Sequence, residues 1–284
     1  MTNETTRWRD KREQLLRDGV CVIPHVLDPE MLKRVQLYAQ SIISGLSAEH
    51  RREHNSTGSM VANRDLPGLV DLVAWPGTFE ALDRLGFDDS KFSRAYLISK
   101  PPHSPRLFWH QDCTMWSGEP RAYSLISPQL FAMFYLTDTS PENGCLRVIP
   151  GSHRKRHRLH DELGVAHTDH SRSMADPSSP MYSTAEGEID VPAKAGDLVL
   201  GDGRALHASH GNDSDDERTV ITIWYHPMFS QLKPQTQRQI SNLARAEVVH
   251  WPGSARRTIA PIIADNTGPA EPLPRDREPG PQLQ

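Results

Sequence analysis

The triplet His110-Gln111-Asp112, inside LFWHQD, is the first place in this sequence where side-chain types and spacing point to chemistry. In an extended strand, residues i and i+2 project to the same side, so His110 and Asp112 offer an imidazole and a carboxylate to one point. Downstream, GDLVLGDGRALHASHGNDSDDER supplies a second histidine, His207, with His210 as its neighbour and rival, and Arg218 follows eleven positions after His207. Two histidines and one carboxylate occupy one face of an octahedral Fe(II) and leave three positions open, enough for a bidentate 2-oxo acid and O2. An arginine suits the far carboxylate of such an acid because its planar fork donates two parallel charge-assisted hydrogen bonds. The same donors also allow a zinc hydrolase with a metal-bound water, or a non-catalytic β-sandwich binding protein. Arg218 and the lack of an HExxH motif count against the hydrolase.

The elements that must position these groups follow from apolar period. Trp8, Leu15 and Leu16 keep helical spacing up to Asp18-Gly19, and a short apolar run, Val20 to Ile23, reads as a strand. Asp28-Pro29 is an N-cap with a first-turn proline, opening a helix through Leu32, Val35, Tyr38, Ile42 and Leu46 to about Ser47. A third helix is expected over Gly77 to Leu85, whereas residues 48 to 65 are polar and read as an irregular loop or a lid. From Phe92 onward the texture changes to strands: Ala95 to Ser99, Leu107 to His110, Leu130 to Leu136, Cys145 to Ile149, Gly187 to Val191, Leu198 to Leu200 and Thr219 to Tyr225. Helices first and strands later, with no βαβ rhythm, predict a mostly β fold with flanking α, a double-sheet jelly roll buttressed by N-terminal helices. The expected organisation is a single domain over 1–252, helical to about residue 90 with a jelly-roll core over about 91–230. A proline-rich, loosely ordered tail is expected over 253–284.

Composition narrows the partners. The 32 Lys plus Arg against 36 Asp plus Glu leave a formal charge of −4, which argues against nucleic acid as the partner. Only Arg154 to Arg158 forms a basic cluster, read as a solvated face or as a patch for an anionic substrate. The longest stretch without a charged side chain, Ala122 to Thr137, carries Ser, Pro and Gln and is too short for a membrane span. The N-terminus is charged from Glu4 and has no secretory signal, so the expectation is a cytoplasmic protein with reduced Cys21, Cys113 and Cys145.

Four ordered blocks carry a resemblance: DGVCVIPHVLDPEMLKRV, LISKPPHSPRLFWHQD, FYLTDTSPENGCLRVIPGSHR and AGDLVLGDGRALHASHGNDSDDER. Together they cover most of the chain, and the sequence resembles the phytanoyl-CoA dioxygenase family of Fe(II)/2-oxoglutarate-dependent oxygenases. The resemblance implies a double-stranded β-helix, an iron held by His110, Asp112 and His207, and 2-oxoglutarate anchored by Arg218 and, through a hydroxyl, by Ser209. It favours His207 over His210, since His207 keeps the family's intervals to Asn212 and Arg218. The implied reaction decarboxylates 2-oxoglutarate to succinate and CO2 with O2 and hydroxylates an unactivated C–H bond of a small molecule. Desaturation, ring formation or epimerisation share the same oxidant. Related halogenases lack the carboxylate that Asp112 supplies here, which favours hydroxylation. Ectoine hydroxylase-like members are similar in placing a Trp four residues after the metal aspartate, matched by Trp116, but CTM precedes it here and the substrate is not carried over. Trp116, Tyr96, Lys100 and His153 are the remaining pocket candidates. Specificity is expected in 50–64, after Asp112, and in the polar insertion 158–184 with His160, His167 and His170.

Overall fold

A computed structural model describes residues 2–163, 166–174, 176, 178–266, 268–269 and 277–284. The strands are β1 (Val20–Ile23), β2 (Ser59–Ala62), β3 (Lys91–Lys100), β4 (Leu107–His110), β5 (Leu130–Tyr135), β6 (Leu146–Val148), β7 (Ile189–Val191), β8 (Leu198–Asp202), β9 (His207–Ser209) and β10 (Arg218–His226). The helices are α1 (Thr2–Asp18), α2 (Pro29–Ile43), α3 (Ala48–Glu53), α4 (Val70–Val73), α5 (Pro76–Arg84), α6 (Leu159–Glu162), α7 (Asp169–Ser173), α8 (Pro234–Val248) and α9 (Gly253–Ile259).

Two antiparallel sheets, ordered β1-β8-β5-β10-β3-β2 and β4-β9-β6-β7, form the jelly roll. Because side chains alternate along each strand, the larger sheet has two different apolar faces. One face carries Leu97, Leu130, Phe134, Leu198, Leu200 and Ile221, buried under the helices with Met31, Val35 and Leu82. The other carries Phe131, Tyr135, Val199, Val220 and Trp224 and meets Leu146, Val148 and Val191 of the smaller sheet. The inner face is where the candidate chemistry lies, since Arg218, Val220, Thr222 and Trp224 alternate along β10 on this side.

The local signals explain the helices that hold this frame. Asp28 Oδ1 accepts from Met31 N at 2.7 Å, capping α2, and Pro29 occupies its first turn. Met31, Val35, Ala39 and Ile43 are its buried stripe, and the helix stops at Ile43, short of the expected Ser47. Residues 48 to 65 are not irregular: Ser47 caps α3, and Ser59–Ala62 adds an edge strand on β3. Four residues with one branched aliphatic side chain give no periodicity, so pairing with β3 alone makes this a strand. The expectation of a loose tail from residue 253 is corrected for its first part. α9 buries Ala255 and Ile259 against the helical core, which supplies the apolar contacts that its own sequence does not advertise. No helix among the described residues is long and apolar enough to cross a membrane.

Candidate functional site

His110 ends β4 and His207 begins β9, and the two are register partners across that strand pair. Their rings lie 4.2 Å apart between centroids. Asp112 is drawn to the same point by its backbone, because the Asp112 and Cys113 amides both donate to Gly203 O, at 2.9 and 2.7 Å. Gly203 lies in the turn that delivers His207, so one turn sets the position of the carboxylate and the second histidine. Asp112 Oδ1 is 3.8 Å from His110 Nε2, and Oδ2 is 3.6 Å from His207 Nε2. All three side chains are buried.

The outward nitrogens are fixed by their partners. His110 Nδ1 donates to Phe108 O and His207 Nδ1 to Ala205 O, each at 3.0 Å. A carbonyl only accepts, so these bonds put a proton on Nδ1 of each ring and leave Nε2 as the nitrogen facing Asp112. Burial above all, then the neighbouring His207, pushes His110 down to about 3, which keeps the imidazole neutral. At Asp112 burial opposes the charge, but the fields of His207 and His110 and a hydrogen bond from Trp224 Nε1, at 2.8 Å, hold the carboxyl below the usual range. Two imidazoles presenting Nε2 to an ionised carboxylate fit a divalent first-row metal.

A second fit concerns the cosubstrate. A cavity of about 70 Å³ opens beside this cluster, walled by Phe131, Met133, Tyr135, Val220 and Trp224 and reaching Ser209 and Arg218. Arg218 Nε, Ser209 Oγ and Thr222 Oγ1 are buried there with no hydrogen-bond partner. Unpaired buried donors of this kind cost about 1–3 kcal/mol each unless something completes them. An anionic, oxygen-rich group is what an arginine and two hydroxyls would complete.

Phe131 lies against His207, with centroids 4.8 Å apart, and crosses directly over Gly201, its register partner on β8. A Cβ at Gly201 would run into that ring. The glycine thus lets an aromatic floor lie flat beneath the histidine.

The geometry joins a sequence match over residues 15–220 to the model of phytanoyl-CoA dioxygenase (PhyH). The chain belongs to the phytanoyl-CoA dioxygenase family. The ectoine dioxygenase of Nocardia farcinica is 30% identical over 255 residues, covering 81% of this chain and 82% of that protein. That of Bordetella parapertussis is 30% identical over 137 residues, 45% of this chain, and the match spans 43% of that curated relative. The crystal structure of EctD from S. alaskensis with 2-oxoglutarate and 5-hydroxyectoine superposes with a TM-score of 0.56 at 19% identity, over 96% of this chain and 88% of that one.

In this member of the PhyH family the other expected pocket residues scatter. Trp116 packs with Ala122, Tyr123 and Leu283 and donates to Gln111 Oε1, away from the cavity. Lys100 is fully buried, and its ammonium donates to Ser56 O and Pro105 O, bracing two loops. His153 Nε2 bonds Leu16 O at 3.1 Å, on the side of α1. Tyr96 comes nearest, packing edge-on against the cavity wall Trp224 at 5.8 Å. Of the basic cluster, Arg156 pairs with Asp161 at 2.5 Å and donates to the carbonyls of Pro279 and Gly280. His210 pairs with Asp190 at 2.6 Å, outside the cluster.

One residue of the site was named from sequence only as one of three histidines in the specificity insertion, not as a possible ligand. His167 reaches the cavity from the polar insertion, 4.8 Å from His110 between centroids, and its nitrogen falls in ligand range of His110 and Asp112. Its backbone has φ +60°, unusual for a residue with a Cβ. No local pattern marks it, since its place depends on how the insertion folds back.

Proposed function

We propose that this protein is an Fe(II)/2-oxoglutarate-dependent dioxygenase that hydroxylates an unactivated C–H bond of a small molecule. The observation that carries the reading is the pairing of the His110–Asp112–His207 cluster with unpartnered Arg218 and Ser209 in one cavity. His110, Asp112 and His207 would hold the iron. Arg218, with Ser209, would orient 2-oxoglutarate through its distal carboxylate. With iron, 2-oxoglutarate and O2 bound, the centre supplies decarboxylation of the oxo acid to succinate and CO2 and the oxidising power to break the C–H bond.

The chain's own work is geometric. The Nδ1–carbonyl bonds fix both imidazoles, Trp224 holds one oxygen of Asp112, and the Gly203 carbonyl fixes its backbone. Phe131, Met133, Val220 and Trp224 make the walls apolar, which excludes water from the reacting centre. Those walls and the small cavity favour a small metabolite over a macromolecule. Desaturation, ring formation and epimerisation begin with the same hydrogen abstraction, and substrate placement decides among them.

The test is anaerobic reconstitution with Fe(II) and 2-oxoglutarate, following the visible charge-transfer absorption of the chelated oxo acid, and then succinate formation in air. Absorption that needs His207 and weakens in Arg218→Ala supports the assignment. Iron-loaded wild type without absorption or succinate overturns it.

A further inference from the structure

Arg94 stands on β3 directly across from Trp224 on β10. Its guanidinium lies over the Trp224 ring at 5.1 Å and the Tyr96 ring at 5.9 Å. The same Trp224 donates its indole N–H to Asp112, so a permanent positive charge sits one aromatic ring away from the candidate metal carboxylate. Among the described residues no carboxylate comes within ion-pair distance of Arg94. Glu247, whose carboxyl feels its charge, instead lies 3.9 Å from Arg64. Arg94 Nε is buried and has no acceptor among the described residues.

An arginine with an unmet donor calls for an explanation, because withdrawal from water removes hydrogen bonds that no described residue replaces. The unmet atom is Nε, and the edge formed by Nε and one terminal nitrogen presents two parallel N–H groups, the spacing of the two oxygens of a carboxylate. The cosubstrate is not the acid in question. Arg218 and Trp224 both line the cavity and are six residues apart along β10, about 20 Å of strand, so Arg94, in register with Trp224 and stacked on its ring, lies far from Arg218 along the sheet. Between them the wall is Ile98, Met133, Val220 and Thr222, nearly all apolar.

We propose that the substrate is a small carboxylic acid with an apolar body, and that Arg94, lying over Trp224, holds its carboxylate at the end of the chamber opposite Arg218. This rests on the dioxygenase reading and assigns its substrate class. Arg94 is then the residue that selects acids over their neutral analogues, with the Trp224 and Tyr96 rings keeping its guanidinium in place.

The test uses the full chain, held anaerobically with Fe(II) and saturating 2-oxoglutarate so that Arg218 is occupied. Hexanoate, 3-phenylpropanoate and cyclohexanecarboxylate are titrated beside their primary amides and hexyl phosphate by calorimetry, in wild type, Arg94→Gln and Arg94→Lys. The expected result is at least one acid bound about tenfold or more tightly than its amide. That preference should fall about 10- to 100-fold in Arg94→Gln and be partly kept in Arg94→Lys, with the 2-oxoglutarate absorption and the melting temperature unchanged. Amides that bind as well as acids, an acid preference that survives Arg94→Gln, hexyl phosphate outcompeting hexanoate, or no acid binding at all overturns the proposal. The two readings fail separately: missing absorption in wild type counts against the dioxygenase, while the acid-to-amide ratio in the Arg94 variants speaks only to the anchor.

Discussion

His110 and His207 face each other across the β4–β9 pair with ring centroids 4.2 Å apart, and each donates its Nδ1 proton to the carbonyl two residues earlier in the chain. That shared local arrangement fixes which nitrogen of each ring faces inward, and the β4–β9 pairing with the Gly203 turn brings both Nε2 atoms to Asp112. His167 competes for the same point, but it comes from the insertion and holds a positive φ that a side chain tolerates poorly. We therefore expect His110→Ala and His207→Ala to lose stoichiometric iron, while His167→Ala keeps it. Metal analysis after anaerobic loading decides, and an iron-free His167→Ala with a loaded His207→Ala would reverse the assignment.

Arg218 is buried, its Nε has no partner, and its guanidinium lies 5.8 Å over the Tyr135 ring. Removing a charge-assisted bidentate contact costs about 2–4 kcal/mol, so Arg218→Ala should weaken 2-oxoglutarate binding by about 30- to 1000-fold with iron content unchanged. Arg218→Lys keeps the charge but loses the fork and should fall between. Titration of the charge-transfer absorption gives each affinity, and an unaltered affinity in Arg218→Ala would remove this residue from the cosubstrate site.

Gly201 makes a prediction from shape alone. Its missing side chain is the space in which Phe131 lies under His207, so Gly201→Ala must push the ring toward the imidazole or bend β8. We expect about 1–3 kcal/mol of destabilisation and weaker iron binding. Pairing it with Phe131→Leu should recover much of the stability, and a double variant no better than the single one would show that the ring is not the obstacle.

How much of this was readable beforehand depended on the range of the interactions. His110 and Asp112 share a strand, whose two-residue period is a local property, so the pair is visible in three letters. The β10 face, with Arg218, Thr222 and Trp224 alternating, is visible for the same reason. β9 is His-Ala-Ser, without a branched or aromatic side chain, and only its pairing with β4 and β6 makes it a strand. His207 was therefore placed by interval and resemblance, not by period. Trp116, Lys100 and His153 were attractive by type, but which way each turns is set by partners far along the chain: Leu283, Ser56 and Leu16. Arg94 drew no notice because its meaning lies in register with Trp224, which no window of sequence contains.

The C-terminal residues 277–284 dock where a loose end was expected. Leu283 is buried with Trp116 and Ala122, Gly280 N donates to Tyr123 Oη at 2.8 Å, and Arg277 donates to Gln111 O at 3.0 Å, next to Asp112. Leu283→Asp places a carboxylate in that apolar cluster and should cost about 2–3 kcal/mol. The expected fall in melting temperature is several degrees, at about 2–4 °C per kcal/mol for a chain of this size. A melting temperature within 1 °C of wild type, at the scale of about a few tenths of a kcal/mol, would show that the segment contributes nothing to folding.

Acid stability tests the buried histidines outside the cluster. His226 is 3% exposed at the end of β10, and its Nδ1 donates to Pro128 O at 2.7 Å. Burial is the main cause, opposed by that hydrogen bond and aided by Arg94, of its pKa falling to about 4. In the unfolded chain the same group titrates near about 6.5. Between those values the unfolded state binds a proton that the folded state refuses, so stability is full above about pH 6.5 and declines as pH falls toward 4. The share from His226 is about 1–3 kcal/mol. His226→Gln keeps a donor for Pro128 but cannot titrate, so its denaturation midpoint should fall less steeply than that of wild type from pH 7 to 4.5. Identical slopes would mean that the acid sensitivity arises at other groups, His160 first among them, since burial also pushes it down to about 4.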